Sequence, residues 1–347
     1  MELEENVPLA PLTTIGIGGP ARFFFRATSV DDVRTALAWA REHQQRVFFL
    51  GGGSNLLISD DGFDGLVIQL ELRGITVESE DAGAVMVKVA AGEPWDPFAA
   101  FAVERGWAGI ECLSGIPGST GATPIQNVGA YGQDVSETIA RVEALDRTTD
   151  RVTWFTNADC RFGYRASLFK NHERDRYVVL SVTFRLRPGG CATIKYPELQ
   201  KFVGERGISV DDLAGVREAV IAIRKRKGMV IDPGDPDTRS DGSFFMNPVL
   251  PRADYEAFAQ RAPGAPHYPA GDEVKLSAAW LIEHAGFQKG FTHGNVGLSS
   301  KHTLAIINRG GGTAKEVLEL VEMIQGKVRE KFGVEMHPEP NFIGFDR

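Results

Sequence analysis

The residues most able to do chemistry fall in five stretches. Asp241-Gly-Ser-Phe-Phe-Met-Asn-Pro248 sets a hydroxyl, Ser243, between a flexible glycine and two aromatic side chains. His337-Pro-Glu-Pro-Asn-Phe-Ile-Gly344 holds a carboxylate, Glu339, between two prolines that stiffen the backbone. Arg161-Phe-Gly-Tyr-Arg165 offers a guanidinium next to an aromatic ring. Gly51-Gly-Gly-Ser-Asn55 and the run from Ser114 to Gly132 are short on side chains, so each brings bare backbone close to something. Consecutive N–H groups in such loops make a nest for an anion. A plain strand-to-strand turn is the other reading of the first loop. In the second, Pro117, Pro124, Ile125 and Val128 argue for order. Taken singly, the serine stretch reads as a strand entry packed on Phe244 and Phe245, and the glutamate stretch as a stiff turn.

Other chemistries are not supported. Gly16-Ile-Gly-Gly-Pro-Ala21 formally fits G-x-G-x-x-A, but that fingerprint must follow a strand and open a helix. Here it precedes Phe23-Phe-Phe25 and contains Pro20, so a tight turn is expected. There is no P-loop and no G-x-S-x-G elbow. The seven histidines make no H-x-x-x-H or H-E-x-x-H pattern, and Cys112, Cys160 and Cys191 make no C-x-x-C, so no metal is expected.

The elements that must position these residues alternate. A strand at 23–26 is followed by a helix that Ser29 caps, with Asp31 and Asp32 in its first turn. Strands at 46–50 and 66–70 complete a β-α-β-β start. A strand at 84–91, a helix at 97–105, strands at 139–155 and 177–187 and a helix at 211–226 follow. The last ends in Arg224-Lys-Arg-Lys227, a cluster that a helix C-terminus favours in any case. A loop-like stretch at 230–243 places a domain boundary near 226. A helix at 273–285, a strand at 303–307 and a helix at 313–332 close the chain, the last with Val317, Leu318, Leu320, Val321, Ile324 and Val328 along one side. Mixed pairs of this kind predict α+β or mixed α/β, not a regular doubly wound sheet.

Length and charge set the outer bounds. At 347 residues the chain is long enough for two to three domains. Its net charge, 38 − 46 = −8, argues against nucleic-acid binding by bulk positive charge. Three scattered cysteines fit a reducing compartment. Met1 to Asn6 has no apolar signal core, and no run approaches a membrane span. A soluble cytoplasmic protein is expected.

In register, these segments resemble one family, the UDP-N-acetylenolpyruvoylglucosamine reductases. The resemblance runs through Asn6-Val-Pro-Leu9, Thr13-Thr-Ile-Gly-Ile-Gly-Gly19, Gly51 to Asn55, Gly115-Ile-Pro-Gly118 and Pro124-Ile-Gln-Asn-Val-Gly-Ala-Tyr-Gly132. It continues through Tyr164-Arg165, Gly242-Ser-Phe-Phe245 with Asn247-Pro248, and Glu339 with Phe342-Ile-Gly344. It implies an α+β fold: an FAD-binding fold of the vanillyl-alcohol-oxidase type, two α+β subdomains around FAD, with a separate α+β substrate-binding domain. The implied division is 1–78 and 79–225 for the FAD-binding subdomains, with 331–347 returning to the flavin region, and 226–330 for the substrate domain. Non-covalent FAD and NADPH as hydride donor are implied, with reduction of the enolpyruvyl ether of UDP-N-acetylglucosamine to UDP-N-acetylmuramate. No nucleic acid, no membrane span and a monomer are expected. The alternative is another FAD-dependent oxidase or dehydrogenase of the same fold acting on an alcohol.

The resemblance assigns residues as well. The flavin falls to Gly51, Gly52, Gly53, Ser54 and Asn55 in the first loop, and to Ser114, Gly115, Ile116, Pro117, Gly118 and Gly121 in the second segment. Gln126, Asn127, Gly129, Ala130, Tyr131 and Gly132 complete that set. Ser243 matches the proton donor to C2, Arg165 the arginine facing the developing enolate, and Glu339 the glutamate that shares a proton or hydrogen bond with it. Tyr164, Lys227 and Asn247 match substrate contacts. Tyr196, Tyr268 and Lys275 match the subtype in which a tyrosine loop closes over the diphosphate. After Lys227 the run Gly228-Met-Val-Ile-Asp-Pro233 departs from the family pattern.

Overall fold

A computed structural model describes residues 1–345 of the chain. The residues gather into two compact units. The first comprises Met1–Val7, Ala21–Gly52 and Asp64–Arg226, and the second Pro8–Pro20, Gly53–Phe63 and Lys227–Arg347. The expected three-part division groups them differently: it assigns 8–20 and 53–63 to the first segment and cuts at 78/79. The first unit is not cut there because one continuous core, from Ala27, Leu37 and Ile68 to Val87, Trp95 and Phe184, runs across that point. Of the 331–347 return, residues 346 and 347 lie outside the described residues.

In the first unit, four strands lie in the order Glu4–Pro8, Pro20–Ala27, Phe63–Leu70, Val47–Leu50, the last two parallel. The helix Val30–Glu42 connects Pro20–Ala27 to Val47–Leu50 and is started by a capping box between Ser29 and Asp32. A six-stranded sheet runs Arg151–Thr156, Ile139–Asp146, Tyr177–Pro188, Val85–Ala90, Ile75–Glu80, with Trp107–Ala108 pairing to Tyr177–Pro188. The expected single strand at 139–155 is thus a hairpin. Its turn is fixed by Asp146, whose Oδ1 accepts from the Thr148 N–H at 2.9 Å and hydroxyl at 2.6 Å, and by Asp150 at φ 57°. The helix Trp95–Glu104 buries Trp95 and Phe98 against Phe184, ring centroids 5.7 and 5.1 Å away. A satellite core joins the helices Pro197–Glu205 and Leu213–Arg226 through Leu199, Phe202, Val216 and Val220.

The second unit packs on the helix Ala314–Phe332. Its buried stripe is Val317, Leu320, Val321, Ile324 and Val328, with Leu318 half-buried. Thr313 and Glu316 form its capping box, and Gly333 ends it in the left-handed conformation. Asp60 accepts from the N–H groups of Ala314 and Lys315, a charge well placed at a helix N-terminus. The expected helix at 273–285 is a strand, Glu273–Leu276, then a helix, Ala278–His284, which Ser277 caps. The strand is claimed by Val249–Pro251 on one side and His267–Ala270 on the other.

Candidate active site

The two glycine-rich segments of the first unit lie backbone to backbone. The strand Val47–Leu50 delivers Gly51 and Gly52 onto Gly118 and Ser119. A Cβ on Gly52 would sit 2.5 Å from Gly118 Cα, and one on Gly51 2.5 Å from Ser119 Oγ. Only glycine allows this approach. The second segment is ordered by its neighbours. Gly118 O accepts from Trp95 N–H at 3.0 Å, Thr120 N–H donates to Glu93 O at 2.8 Å, and Gly121 N–H to Ala91 O at 2.8 Å. Asp96 Oδ1 accepts from Gly115 N–H at 2.6 Å, and Arg217 grips both oxygens of Asp96 at 2.6 and 3.0 Å. Burial acts to raise the Asp96 carboxyl, but those hydrogen bonds and the Arg217 charge together hold it below the usual carboxylate range.

At its far end the segment makes a two-residue hairpin. Gly129–Ala130 pairs with Gln133–Asp134, and Tyr131 and Gly132 both have positive φ, 50° and 80°. Such a mirror-image turn matches the twist of the strands it joins. Tyr131 meets Tyr196 edge-on, centroids 5.5 Å apart, and burial pushes its phenol up to about 12. Ser114 is buried, its hydroxyl on Glu111 O, while Ile116 is half-buried against the unit's main core.

Arg165 is held on this segment. Its Nη1 donates to Asn127 O at 3.2 Å and its Nη2 to Gly129 O at 2.6 Å. Its own backbone is left-handed, φ 53°, a strained state for a non-glycine residue that its surroundings must enforce. They do so through Asn127 Nδ2 on Gly163 O at 3.0 Å, through the Ser167 hydroxyl on Ile125 O, and through the π-helical turn Leu168–His172. Tyr164 lies beside the guanidinium and is 44% exposed; Tyr196, at the start of a helix, is 42% exposed.

In the second unit, Ser243 and Glu339 are brought together. Phe244 O accepts from Glu339 N–H at 2.8 Å, Met246 N–H donates to His337 O at 3.0 Å, and Phe245 bridges Pro338. Phe244 and Phe245 are buried, anchoring the serine turn from one side. The glutamate segment continues into Asn341–Ile343, which pairs in parallel with Leu56–Ile58. Asn55 joins the two, its O accepting from Asn341 N–H at 3.0 Å and its Nδ2 donating to Glu339 O at 3.4 Å. Gly53 packs on Leu12 and Thr13, and its O accepts from Thr14 N–H at 2.9 Å.

Tyr268 and Lys275 are direct cross-strand partners, and Tyr268 is 52% exposed. Asn247 Oδ1 accepts from Ala278 N–H at 2.9 Å and so fixes the helix that follows Lys275. Lys227 follows the helix Leu213–Arg226, and the departing run after it is ordered by Thr238, bonded to Asp232 and Asp235. Arg165, Tyr164, Tyr196, Gly51, Gly52 and the 114–132 segment thus belong to the first unit. Gly53, Ser54, Asn55, Lys227, Ser243, Asn247, Tyr268, Lys275 and Glu339 belong to the second. Two supporting residues were not anticipated from sequence: Asp96, which orders the second glycine segment, and the buried Asp241. Among the described residues no group of three or more His, Cys, Asp or Glu could hold a metal ion.

The chain is a flavin-binding protein: a family model described as an FAD binding domain matches residues 21–155, which include both glycine segments. A second, described as the C-terminal domain of UDP-N-acetylenolpyruvoylglucosamine reductase, matches residues 235–343. The chain is 47% identical over 348 residues to the UDP-N-acetylenolpyruvoylglucosamine reductase of Thermobifida fusca (strain YX), covering 98% of this chain and 97% of that one. It is 45% identical over 357 residues to that of Mycobacterium tuberculosis (strain ATCC 25618 / H37Rv), covering 99% and 95%. Its fold is similar to the crystal structure of the reductase from Thermus caldophilus, with TM-score 0.67, 25% identity and 99% of each chain covered. The chain belongs to the UDP-N-acetylenolpyruvoylglucosamine reductase family, and its fold is an α+β FAD-binding fold.

Proposed function

We propose that this chain catalyses the NADPH-dependent reduction of the enolpyruvyl ether of UDP-N-acetylglucosamine to UDP-N-acetylmuramate, in peptidoglycan precursor synthesis. The observation that carries the reading is the end-to-end likeness to reductases of that name, 97% of the relative's length included. The chemistry FAD supplies when bound is a hydride relay from NADPH to C3 of the enolpyruvyl group. The residues present fit that cofactor: Gly51 and Gly52 lie against Gly118 and Ser119 at distances no Cβ would permit, so two loops bring bare backbone side by side, suited to a pyrophosphate held by amides. Gly53, Ser54 and Asn55 extend the first loop. No His or Cys stands in that loop, so the expected attachment is non-covalent.

Hydride addition at C3 leaves carbanion character at C2, delocalised into the substrate carboxylate. Arg165 stabilises that charge, and its fixed fork is already oriented when the charge appears. Ser243 gives its proton to C2; a serine is a weak acid, but a carbanion is base enough to take it. Glu339 hydrogen-bonds the enolate from the segment beside Ser243. Lys227, Tyr196, Tyr268 and Lys275 bind the nucleotide diphosphate, as in the tyrosine-loop subtype, with Tyr164 shaping the pocket. Asn247 donates through its amide nitrogen, its oxygen being engaged by Ala278. Among the described residues no helix is long and apolar enough to cross a membrane. We assign the enzyme to the cytoplasm as a monomer.

The test is an anaerobic visible spectrum of the flavin-loaded protein. NADPH should bleach the flavin band and the enolpyruvyl sugar nucleotide should restore it. A band that bleaches and does not return would leave the second reading, a flavin enzyme of the same fold acting on an alcohol.

A further inference from the structure

Thr14, Gly53, Leu56, Ser240 and Asp241 meet in the interior of the second unit. Thr14 Oγ1 lies 2.7 Å from Ser240 O, 3.3 Å from Asp241 Oδ1 and 3.5 Å from Gly53 O. The Leu56 N–H also donates to the Asp241 carboxyl. Asp241 is 6% exposed, and its Oδ2 is buried with no hydrogen-bond partner. One hydroxyl proton cannot serve three acceptors. The shortest contact sends it to Ser240 O, so the contact with Asp241 is fully satisfied when the carboxyl carries a proton and donates it to Thr14. A carboxylate here would leave a bare charged oxygen in the interior, an expensive arrangement.

Burial is the largest influence on this carboxyl and pushes it up to about 8, against smaller opposing pulls from the Thr14 hydroxyl and the Leu56 N–H. The charged groups on the surrounding segments are engaged elsewhere. Asp60 caps Ala314 and Lys315, Asp237 accepts from Ser300, and Lys301 pairs with Asp235. Arg239 precedes the turn, and Glu339 and His337 stand on the segment paired with Phe244 and Met246. Two residues beyond Asp241, Ser243 follows a left-handed Gly242, φ 77°, and precedes the buried Phe244. The phenylalanines fix the serine from its far side; the 240–242 turn must fix it from the near side.

We propose that Asp241 is a positioning residue for Ser243: its carboxyl pins the 240–243 turn to Thr14 and to the Gly53–Leu56 backbone, and so places the hydroxyl for proton transfer. The inference rests on Ser243 as the proton donor.

The test is a stopped-flow pH series on flavin-loaded wild type, Asp241→Asn, Asp241→Ala and Ser243→Ala, between about pH 6 and about pH 9.5. It reads reduction by NADPH, reoxidation by the enolpyruvyl substrate, and thermal midpoint. In wild type, reoxidation should fall on the alkaline side through about pH 8, where the Asp241 proton is lost. The unfolded acid ionises near 3.8 and the folded one near 8, so the folded state holds the extra proton between them and the thermal midpoint falls as pH rises to about 8. Asp241→Asn keeps a neutral donor and acceptor without a titrating proton. It should rescue reoxidation to within about threefold of wild type at neutral pH and remove both pH-dependent falls. Asp241→Ala should slow reoxidation about tenfold or more with reduction by NADPH unmoved. An Asn variant that keeps the alkaline fall in reoxidation would overturn the proposal, as would an Ala variant that reoxidises at the wild-type rate. If Ser243→Ala reoxidises normally, the proton-donor reading fails and the proposal with it, an outcome distinct from failure of the Asp241 variants alone.

Discussion

Arg165, on the first unit, is a long charged side chain fixed by its own hydrogen bonds: two to backbone oxygens of the second glycine segment, from a left-handed backbone. Ser243, on the second, is a short side chain fixed by its neighbours: two buried phenylalanines after it and a buried acid before it. The contrast follows from chemistry. A guanidinium carries five N–H donors, enough for it to fix its own orientation. A serine hydroxyl has one proton, which in the proposed mechanism goes to C2, so its position is set by the residues around it. Strain sits where the side chain can hold itself down, and apolar burial where it cannot.

The largest effect expected from breaking this comparison, short of removing the serine itself, is at the guanidinium. Arg165→Ala should slow reoxidation of the reduced flavin by about 10²–10³-fold, measured by stopped flow, the range for losing one preorganised donor to a developing anion. Arg165→Lys should recover little of it, because a point charge cannot replace a fork. Glu339→Gln should cost about 10²-fold in the same half-reaction with NADPH oxidation unchanged; equal losses in both would place Glu339 elsewhere in the mechanism. Gly52→Ala sharpens the structural side. Its Cβ must displace the backbone of Gly118, so about 2 kcal/mol of stability and the retained flavin should be lost together, read as thermal midpoint and bound absorbance. The smallest effect is Asp96→Asn, about 1.5 kcal/mol, from weakening a charge-assisted grip on Gly115 and Arg217. Because the folded Asp96 lies below its ordinary range, its contribution is present above that range and disappears as pH falls through the lowered folded value. The Asn variant should therefore lose the acid-side slope.

Much of this was legible in the residues. Ser29 and Thr313 announced their helices as caps, and the 3.6-residue stripe of 313–332 is the buried stripe observed. The glycine segments were legible as backbone surfaces, but not that they touch. Contact between residues 52 and 118 leaves no local trace. The 139–156 hairpin was hidden because Arg147-Thr-Thr-Asp150 contains no glycine or proline; Asp146 and a left-handed Asp150 make the turn instead. The strand Ile75–Glu80 was missed because its exposed edge position makes it polar. The pairing of Leu56–Ile58 with Asn341–Ile343, which sets the glutamate segment beside the first loop, spans most of the chain and is invisible to pattern reading. Asp241 carried one signal that sequence alone could not price: an acid directly before Gly-Ser, whose burial only the fold reveals.

In the proposed mechanism, proton delivery by Ser243 belongs to the second half-reaction alone. The measurement that meets it most directly is anaerobic stopped-flow absorbance of the flavin in Ser243→Ala, first with NADPH and then with UDP-N-acetylglucosamine enolpyruvate. Reduction within about twofold of wild type, with reoxidation slowed by about 10³-fold, is the predicted result. Equal slowing of both steps, or a reoxidation rate that does not change, would contradict it.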